Sequence, residues 1–170
     1  GSASYTIADL YDGTGVGIDD GQFERSFSLQ YRLLNESDYL PAVAIGLRDF
    51  LNPGRFQSEY VVATKTIAPH FSATLGIGWG RLASHGGFTH PLGGQLRNRP
   101  QVQIGEGGAI ATDALFRGDA AFFGGMRYQL RDDLSLLAEY SSDAYNAEDG
   151  SAFHHRSPVN IGLTYMPAPN

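Results

Sequence analysis

The stretch FERSFSLQYRL, residues 23–33, alternates apolar and polar side chains along its length. The apolar side chains fall at Phe23, Phe27, Leu29, Tyr31 and Leu33, and the polar ones between them at Glu24, Ser26, Ser28, Gln30 and Arg32. Successive side chains of a β-strand point to opposite faces of its sheet. The stretch therefore predicts a strand with one apolar face and one polar, partly charged face.

The same alternation recurs along the chain and predicts eight strands. They cover residues 3–10, 23–34, 40–50, 58–67, 71–82, 120–130, 134–142 and 158–166. The connections at 35–39, 68–70 and 131–133 are short, whereas those at 11–22, 51–57, 83–118 and 143–157 are mostly longer. Short and long connections take turns, so all the short ones fall at one end of an antiparallel sheet.

Composition limits the classes of protein that the chain can belong to. The formal net charge of −6 argues against nucleic acid as a partner, because phosphate binding requires a basic surface. The chain has no cysteine, which excludes disulfides and thiolate metal sites. No apolar stretch of about 20 residues is present, so insertion into a membrane would have to use strands.

Two folds accommodate eight strands of this kind. A lipocalin-like barrel turns its apolar face inward, whereas an outer-membrane barrel turns that face toward lipid. The strand lengths, the segregation of short turns to one end and the small residues on the polar face favour the second fold. We therefore predict an all-β, eight-stranded antiparallel up-and-down transmembrane β-barrel with short periplasmic turns and longer extracellular loops, located in the bacterial outer membrane and contacting its lipid.

No helix and no domain boundary is evident, so residues 1–170 are expected to form a single barrel domain. Gly1 and Ser2 resemble a cloning scar. Whether the barrel is a compact protein or one module of a longer native protein stays open at this point.

Charged residues of both signs are expected on the polar face, where they would meet inside the barrel. The residues predicted to form this interior charge network are Glu24, Arg32, Arg48, Glu59, Lys65, Arg127 and Glu139. Buried charges must be paired, and the interior of an eight-stranded barrel is just wide enough for side chains to fill it. The hypothesis is a plugged interior, and the alternative is a set of separate, solvated surface charges.

Glycines in the predicted strand 71–82 make a specific prediction about packing. Gly76, Gly78 and Gly80 share one face of that strand. A row of glycines on one face indicates that another group packs very close to that wall, or that the sheet bends sharply there.

The long connection 83–118 is the best candidate for a binding loop. His85, His90, Arg97 and Arg99 are the candidates for glycan contact, since Arg forks and planar polar groups suit sugar hydroxyls and acidic sugars. The alternative is a hydrated surface loop without a ligand. For catalysis the sequence offers only His154 and His155, so we expect no enzyme, no cofactor and no metal site.

Residues 31–82 have a distinctive amino-acid sequence. It includes YRLL at 31–34, LPAVAIGLRDF at 40–50, SEYVVATK at 58–65 and LGIGWGRL at 75–82, and LAEYSSD follows at 137–143. These segments resemble the YjbH-like family of outer-membrane proteins of Gram-negative bacteria. The resemblance implies a part in exopolysaccharide or capsule production or export, as a scaffold or interaction module whose partners are polysaccharide or export-machinery proteins. A soluble or periplasmic barrel that binds a small ligand, and a small outer-membrane enzyme acting on lipid or glycan, are the alternatives.

Overall fold

A single antiparallel sheet dominates the part of the protein that the structure describes. The computed structural model describes residues 3–9, 25–50, 57–100, 112–144 and 157–167. Eight strands pair in chain order: β1 (Ala3–Asp9), β2 (Arg25–Leu34), β3 (Ala42–Arg48), β4 (Ser58–Ala68), β5 (Phe71–Gly80), β6 (Ala120–Arg131), β7 (Leu134–Tyr140) and β8 (Val159–Tyr165). Each strand is antiparallel to its neighbour. The predicted all-β class and each of the predicted strands are confirmed.

The register gives the sheet an apolar face that continues from strand to strand. One row across the sheet is Tyr31, Ile45, Val61, Ile77 and Phe122, each opposite the next. A second row, nearer the other end, is Ala63, Leu75, Gly124, Tyr140 and Val159. Directly opposed residues share a face of the sheet. We call the face that carries these two rows the apolar face.

The opposite side of the sheet is the polar face. Its central row is Thr64, Thr74, Gly125, Glu139 and Asn160. The hydroxyl groups of Thr64 and Thr74 are hydrogen-bonded at 2.9 Å across β4 and β5. The alternation found in the sequence therefore survives in the fold as two chemically different surfaces.

Large apolar side chains are exposed on the apolar face instead of being enclosed. Leu75 is 62% exposed and Ile161 77% exposed, and every residue of β8 is exposed. Among the described residues the buried apolar side chains are few and mostly small: Ala44, Trp79, Leu82, Ala114, Ala120 and Ala121. The described residues leave most of the apolar face uncovered.

The connections alternate in length as expected. Residues 35–41, 69–70 and 132–133 join strands at one end of the sheet, and the longer connections join them at the other end. Within the described residues β1 and β8 are not paired with each other, so the sheet is open. The predicted closure into a barrel is therefore not confirmed.

Helices contribute little to the described part of the chain. Two 3₁₀-helices, η1 (Arg81–Ala83) and η2 (Gly94–Arg97), lie between β5 and β6. None of the helices in the described segments has the length and hydropathy to cross a membrane.

The glycine row predicts close packing, and the structure confirms it. A Cβ atom built on Gly76 would lie 2.2 Å from Cζ of Phe123, and one built on Gly78 would lie 2.6 Å from Cβ of Leu82. On β3, a Cβ atom at Gly46 would lie 2.2 Å from Cζ of Tyr60. Large side chains thus lie close to the polar face at positions where the sheet has no side chain of its own.

Candidate functional site

The polar face curves around a cavity of about 470 Å³. Strands β3 to β7 all contribute to its lining, which shows that the polar face is the concave one. The polar-face residues of its lining combine charged, hydroxyl-bearing and aromatic or apolar side chains, namely Arg48, Tyr60, Ser72, Thr74, Leu82, Phe123, Arg127, Leu137, Glu139 and Ser141. A concave site with a few convergent polar groups is the usual form of a ligand-binding cavity.

Aromatic rings form one wall of this cavity. Tyr60 and Phe123 meet edge to face, with 6.1 Å between their ring centroids. The rings lie over Gly46 and Gly76, so the glycines provide the space that the two rings occupy. Neither ring was singled out from the sequence, although the glycine row was the signal that pointed to them.

The charged residues that line the cavity are not joined into the predicted network. Arg127 donates from Nε and Nη2 to the hydroxyl oxygen of Ser135, at 3.2 and 3.0 Å. No ion pair joins Arg48, Arg127 or Glu139 to any other described residue. These three side chains are exposed and face the cavity. The predicted ion pairs therefore do not fill the cavity among the described residues.

The remaining members of the predicted network lie elsewhere. Arg32 is on the polar face, opposite Ala44, but does not line the cavity. Glu59 and Lys65 lie on the apolar face, because their strand neighbours Tyr60 and Thr64 lie on the polar one. Glu24 lies outside the described residues. By this register Glu59 and Lys65 do not share a face with Arg48, Arg127 and Glu139. The interior charge network itself stays a prediction.

The carboxylate of Glu59 lies on the apolar face and is fully buried. Arg99 binds it through two parallel hydrogen bonds, from Nη1 to Oε2 at 2.7 Å and from Nη2 to Oε1 at 2.9 Å. The backbone N–H of Phe116 also donates to Oε2, at 3.1 Å. This bidentate geometry satisfies a charge that would otherwise be very costly to bury.

The connection that carries Arg99 folds over the apolar face at this end of the sheet. Trp79 packs against His90 at 5.7 Å and against Phe116 at 5.4 Å between ring centroids. Phe88 packs on Phe122 at 5.1 Å. The described parts of the loop are therefore a packed cover over the end of the apolar face.

His90 has a structural role within this cover. Only 4% of its surface is exposed. Its Nδ1 accepts from the backbone N–H of Leu92 at 3.2 Å, and its Nε2 lies 3.1 Å from the carbonyl oxygen of Phe116. Glycan contact by His90 stays a prediction, while in this structure its ring is buried and both nitrogens are engaged.

The four predicted glycan-contacting residues thus divide into two pairs. Arg99 and His90 hold the loop on the sheet, whereas Arg97 and His85 are exposed. The backbone N–H of His85 donates to the carbonyl oxygen of Ser142, at 2.9 Å. Arg97 and His85 keep the surface position that contact with a large ligand requires.

Leu82 closes one end of the cavity because the chain turns inward after β5. Gly80 adopts a φ of 65°, a left-handed conformation that glycine accepts without strain, and η1 then places Leu82 over Gly78. Arg81 forms an ion pair with Asp143, which follows β7. The pair attaches the inward turn to the neighbouring connection.

Lys65 is engaged at the opposite end of the sheet. It donates from Nζ to Oε1 of Glu36 at 3.2 Å and to the carbonyl oxygen of Ser37. The backbone N–H of Thr66 donates to the same Glu36 oxygen at 2.8 Å. The Thr66 hydrogen bond first, and then Lys65, hold the pKa of the Glu36 carboxyl group below its ordinary value.

Among the described residues no group of His, Asp and Glu could hold a metal ion. His154 and His155, the candidates for the enzyme alternative, lie outside the described residues.

Residues 2–170 match the family described as "Exopolysaccharide biosynthesis protein YbjH". The chain is 36% identical over 148 residues to the "Uncharacterized lipoprotein YjbH" of Escherichia coli (strain K12). The match covers 84% of this chain and 21% of that protein, so the chain spans about a fifth of the relative's length. No solved structure matches the fold significantly.

Proposed function

Because the chain belongs to the YjbH family of exopolysaccharide biosynthesis proteins, we propose that it forms the wall of an outer-membrane β-barrel that serves exopolysaccharide or capsule production. In this proposal the apolar face contacts lipid and the polar face lines the interior. The role is that of a non-catalytic scaffold or interaction module. The lipoprotein name of the E. coli relative supports an association with a membrane.

The exposed apolar face is the observation that carries the proposal. Leu75, Ile161 and Leu163 are each more than half exposed, and they belong to one surface that crosses the sheet. Fully burying one such side chain is worth about 1.5–3 kcal/mol, so a surface of this extent is unstable in water without a cover. The acyl chains of a lipid bilayer can cover the whole of this apolar surface.

The same observation counts against a soluble lipocalin-like barrel. Such a barrel encloses its apolar side chains and turns its charges outward. Here the charged side chains Arg48, Arg127 and Glu139 line the concave side, and the apolar ones lie on the other side. The open sheet becomes a barrel in our proposal by pairing of its free strands β1 and β8, either with each other or with further strands of a longer protein.

The exposed loop residues support the interaction role. Arg97 and His85 lie at the end of the sheet with the longer connections, which in an outer-membrane barrel is the extracellular end. We propose that they contact polysaccharide or export-machinery proteins. The bidentate ion pair between Glu59 and Arg99 would hold the loop in place for that contact.

The test compares arginine substitutions on the two faces of β8. Ile161→Arg places a charge on the apolar face, and Asn160→Arg, its neighbour, places the same charge on the polar face. A charged residue on the lipid face costs about 2–4 kcal/mol near the middle of the membrane. We expect Ile161→Arg to reduce the amount of full-length protein in the outer membrane and its heat-modifiable band on a detergent gel, while Asn160→Arg leaves both intact.

The opposite results would overturn the proposal. Equal behaviour of Ile161→Arg and Asn160→Arg would mean that neither face contacts lipid. A purified protein that stays monodisperse without detergent would favour the soluble barrel.

A further inference from the structure

We propose that the cavity on the polar face binds a linear glycan that carries carboxylate groups. This inference rests on the proposed function, in which the polar face lines the interior of a barrel. It adds a binding site and a ligand class to the proposed scaffold. Four properties of the cavity lead to it.

The first property is charge. Two guanidinium groups and one carboxylate line the cavity, although the whole chain carries a net charge of −6. Arg48 has no ion pair with any described residue, and Arg127 is held by the neutral hydroxyl of Ser135. Both guanidinium groups therefore keep their charge available. Arg forks match the geometry of a carboxylate.

The second property is the position of the cations along the strands. Arg48 lies opposite Ser58, which lies opposite Gly80 at the end of β5. Arg127 lies opposite Ser72, near the start of β5. From Ser72 to Gly80 a strand extends about 26 Å at ~3.3 Å per residue. The two cations thus stand at different levels, which suits an extended chain with repeated negative charges better than one small anion.

The third property is the wall between the cations. Tyr60 and Phe123 present aromatic surface to the cavity, and Thr74 and Glu139 lie next to each other across Gly125. Sugar rings have an apolar C–H face that covers an aromatic ring and a rim of hydroxyl groups that pairs with hydroxyl and carboxylate oxygens. The cavity offers both kinds of partner.

The fourth property is space. A cavity of about 470 Å³ falls within the usual range of ligand sites, roughly 300–1,000 Å³. The far ends of the Tyr60 and Phe123 rings occupy the space over Gly46 and Gly76, where any other residue would place a Cβ atom. An interior filled by ion pairs would leave no such room.

The experiment measures binding of oligogalacturonate, a carboxylated probe, to the full-length protein purified in detergent. Malto-oligosaccharide of equal length is the neutral probe, and inorganic phosphate is the competitor that separates a phosphate site from a carboxylate site. We expect oligogalacturonate to bind in a salt-dependent manner and malto-oligosaccharide to bind at least about tenfold more weakly. Phosphate should compete poorly because it reaches only one cation at a time.

The variants are Arg48→Gln and Arg127→Gln, with Arg32→Gln as the matched control. Arg32 lies on the same face but outside the cavity. Each cavity variant should weaken binding of oligogalacturonate about tenfold, the effect of losing one charge-assisted hydrogen bond. Arg32→Gln should bind like the wild type. Glu139→Gln removes a like charge and should bind the acidic probe at least as tightly as the wild type.

The outcomes separate this inference from the proposed function. A heat-modifiable protein that binds both probes equally, binds neither, or loses as much affinity in Arg32→Gln as in Arg48→Gln overturns the glycan site and leaves the barrel standing. Strong competition by phosphate replaces the carboxylate with a phosphate ligand and also overturns it. A protein without heat-modifiability that still binds oligogalacturonate through Arg48 and Arg127 overturns the barrel and supports the site.

Discussion

At the scale of single residues, the glycines and the large side chains above them decide what the polar face can accommodate. Gly46 lies under Tyr60 and Gly76 under Phe123, so two small positions determine where two rings lie. The sequence was sufficient to predict that something packs against the glycine row. It could not identify the partner rings, because cross-strand register decides which residue lies opposite which.

Gly76→Ala tests this packing. The new Cβ would overlap the ring of Phe123, and overpacking of this kind costs about 1–3 kcal/mol. We expect a lower unfolding midpoint in urea for the protein in detergent. Gly162→Ala is the control, because a Cβ atom there would meet only Cβ of Leu137 at 4.0 Å. The double variant Gly76→Ala with Phe123→Leu should lose less stability than the two single losses added together.

The bidentate ion pair between Glu59 and Arg99 gives a second prediction at this scale. Arg99→Gln leaves a fully buried carboxylate without its cation, a loss of about 3–5 kcal/mol in comparable buried pairs. The double variant Glu59→Gln with Arg99→Gln also removes the buried carboxylate charge that has lost its partner. It should be more stable than Arg99→Gln alone. Unfolding midpoints measure both changes. Arg97→Gln, on the same loop but exposed, should have no effect.

At the scale of elements, the connections hold the sheet together at its two ends. The β2–β3 connection reaches β4 through Glu36, which accepts hydrogen bonds from Lys65 and Thr66. These contacts join segments that are about 30 residues apart, and Lys65 was instead expected to point into the interior. Sequence alternation alone could not assign β4, because Val61 and Ala63 share one face with Glu59 and Lys65, while Tyr60 and Val62 lie on the other.

The Glu36 carboxylate predicts a pH dependence. Its pKa is lowered from 4.5 in the folded protein, so the ionised form stabilises the fold at pH values above 4.5. That contribution disappears as the pH falls through the lowered pKa. We expect Glu36→Gln to have a lower unfolding midpoint than the wild type at pH 7, and the difference to vanish in acid. A pH-independent difference for Glu36→Gln would contradict the prediction.

At the scale of the whole molecule, cross-linking can test whether the sheet closes into a barrel, since the chain has no cysteine. In our proposal β1 and β8 pair with each other or with strands of a longer protein. We expect cysteine at position 162 of β8 to form a disulfide on oxidation with cysteine at one of positions 4–8 of β1 if they pair with each other. The pair Leu137→Cys and Gly162→Cys is the positive control, because the two Cβ atoms would be 4.0 Å apart, close to the disulfide mean of ~3.8 Å.

If the control pair forms its disulfide and none of the β1 pairs does, the two strands are not neighbours. The barrel would then have to be completed by other strands. Gel mobility under non-reducing conditions distinguishes the two cases.

The amino-acid sequence by itself determined the strands, their order and the two contrasting faces. Alternation with a period of two is a local property, and short and long connections can be counted along the chain. Only the tertiary structure decided which charges meet, because a partner far along the chain is chosen by register and by the path of the loops. Glu59 illustrates this: its position in an alternating strand was evident, but its place on the apolar face and its partner, Arg99, follow from how β3, β4 and the long connection pack together.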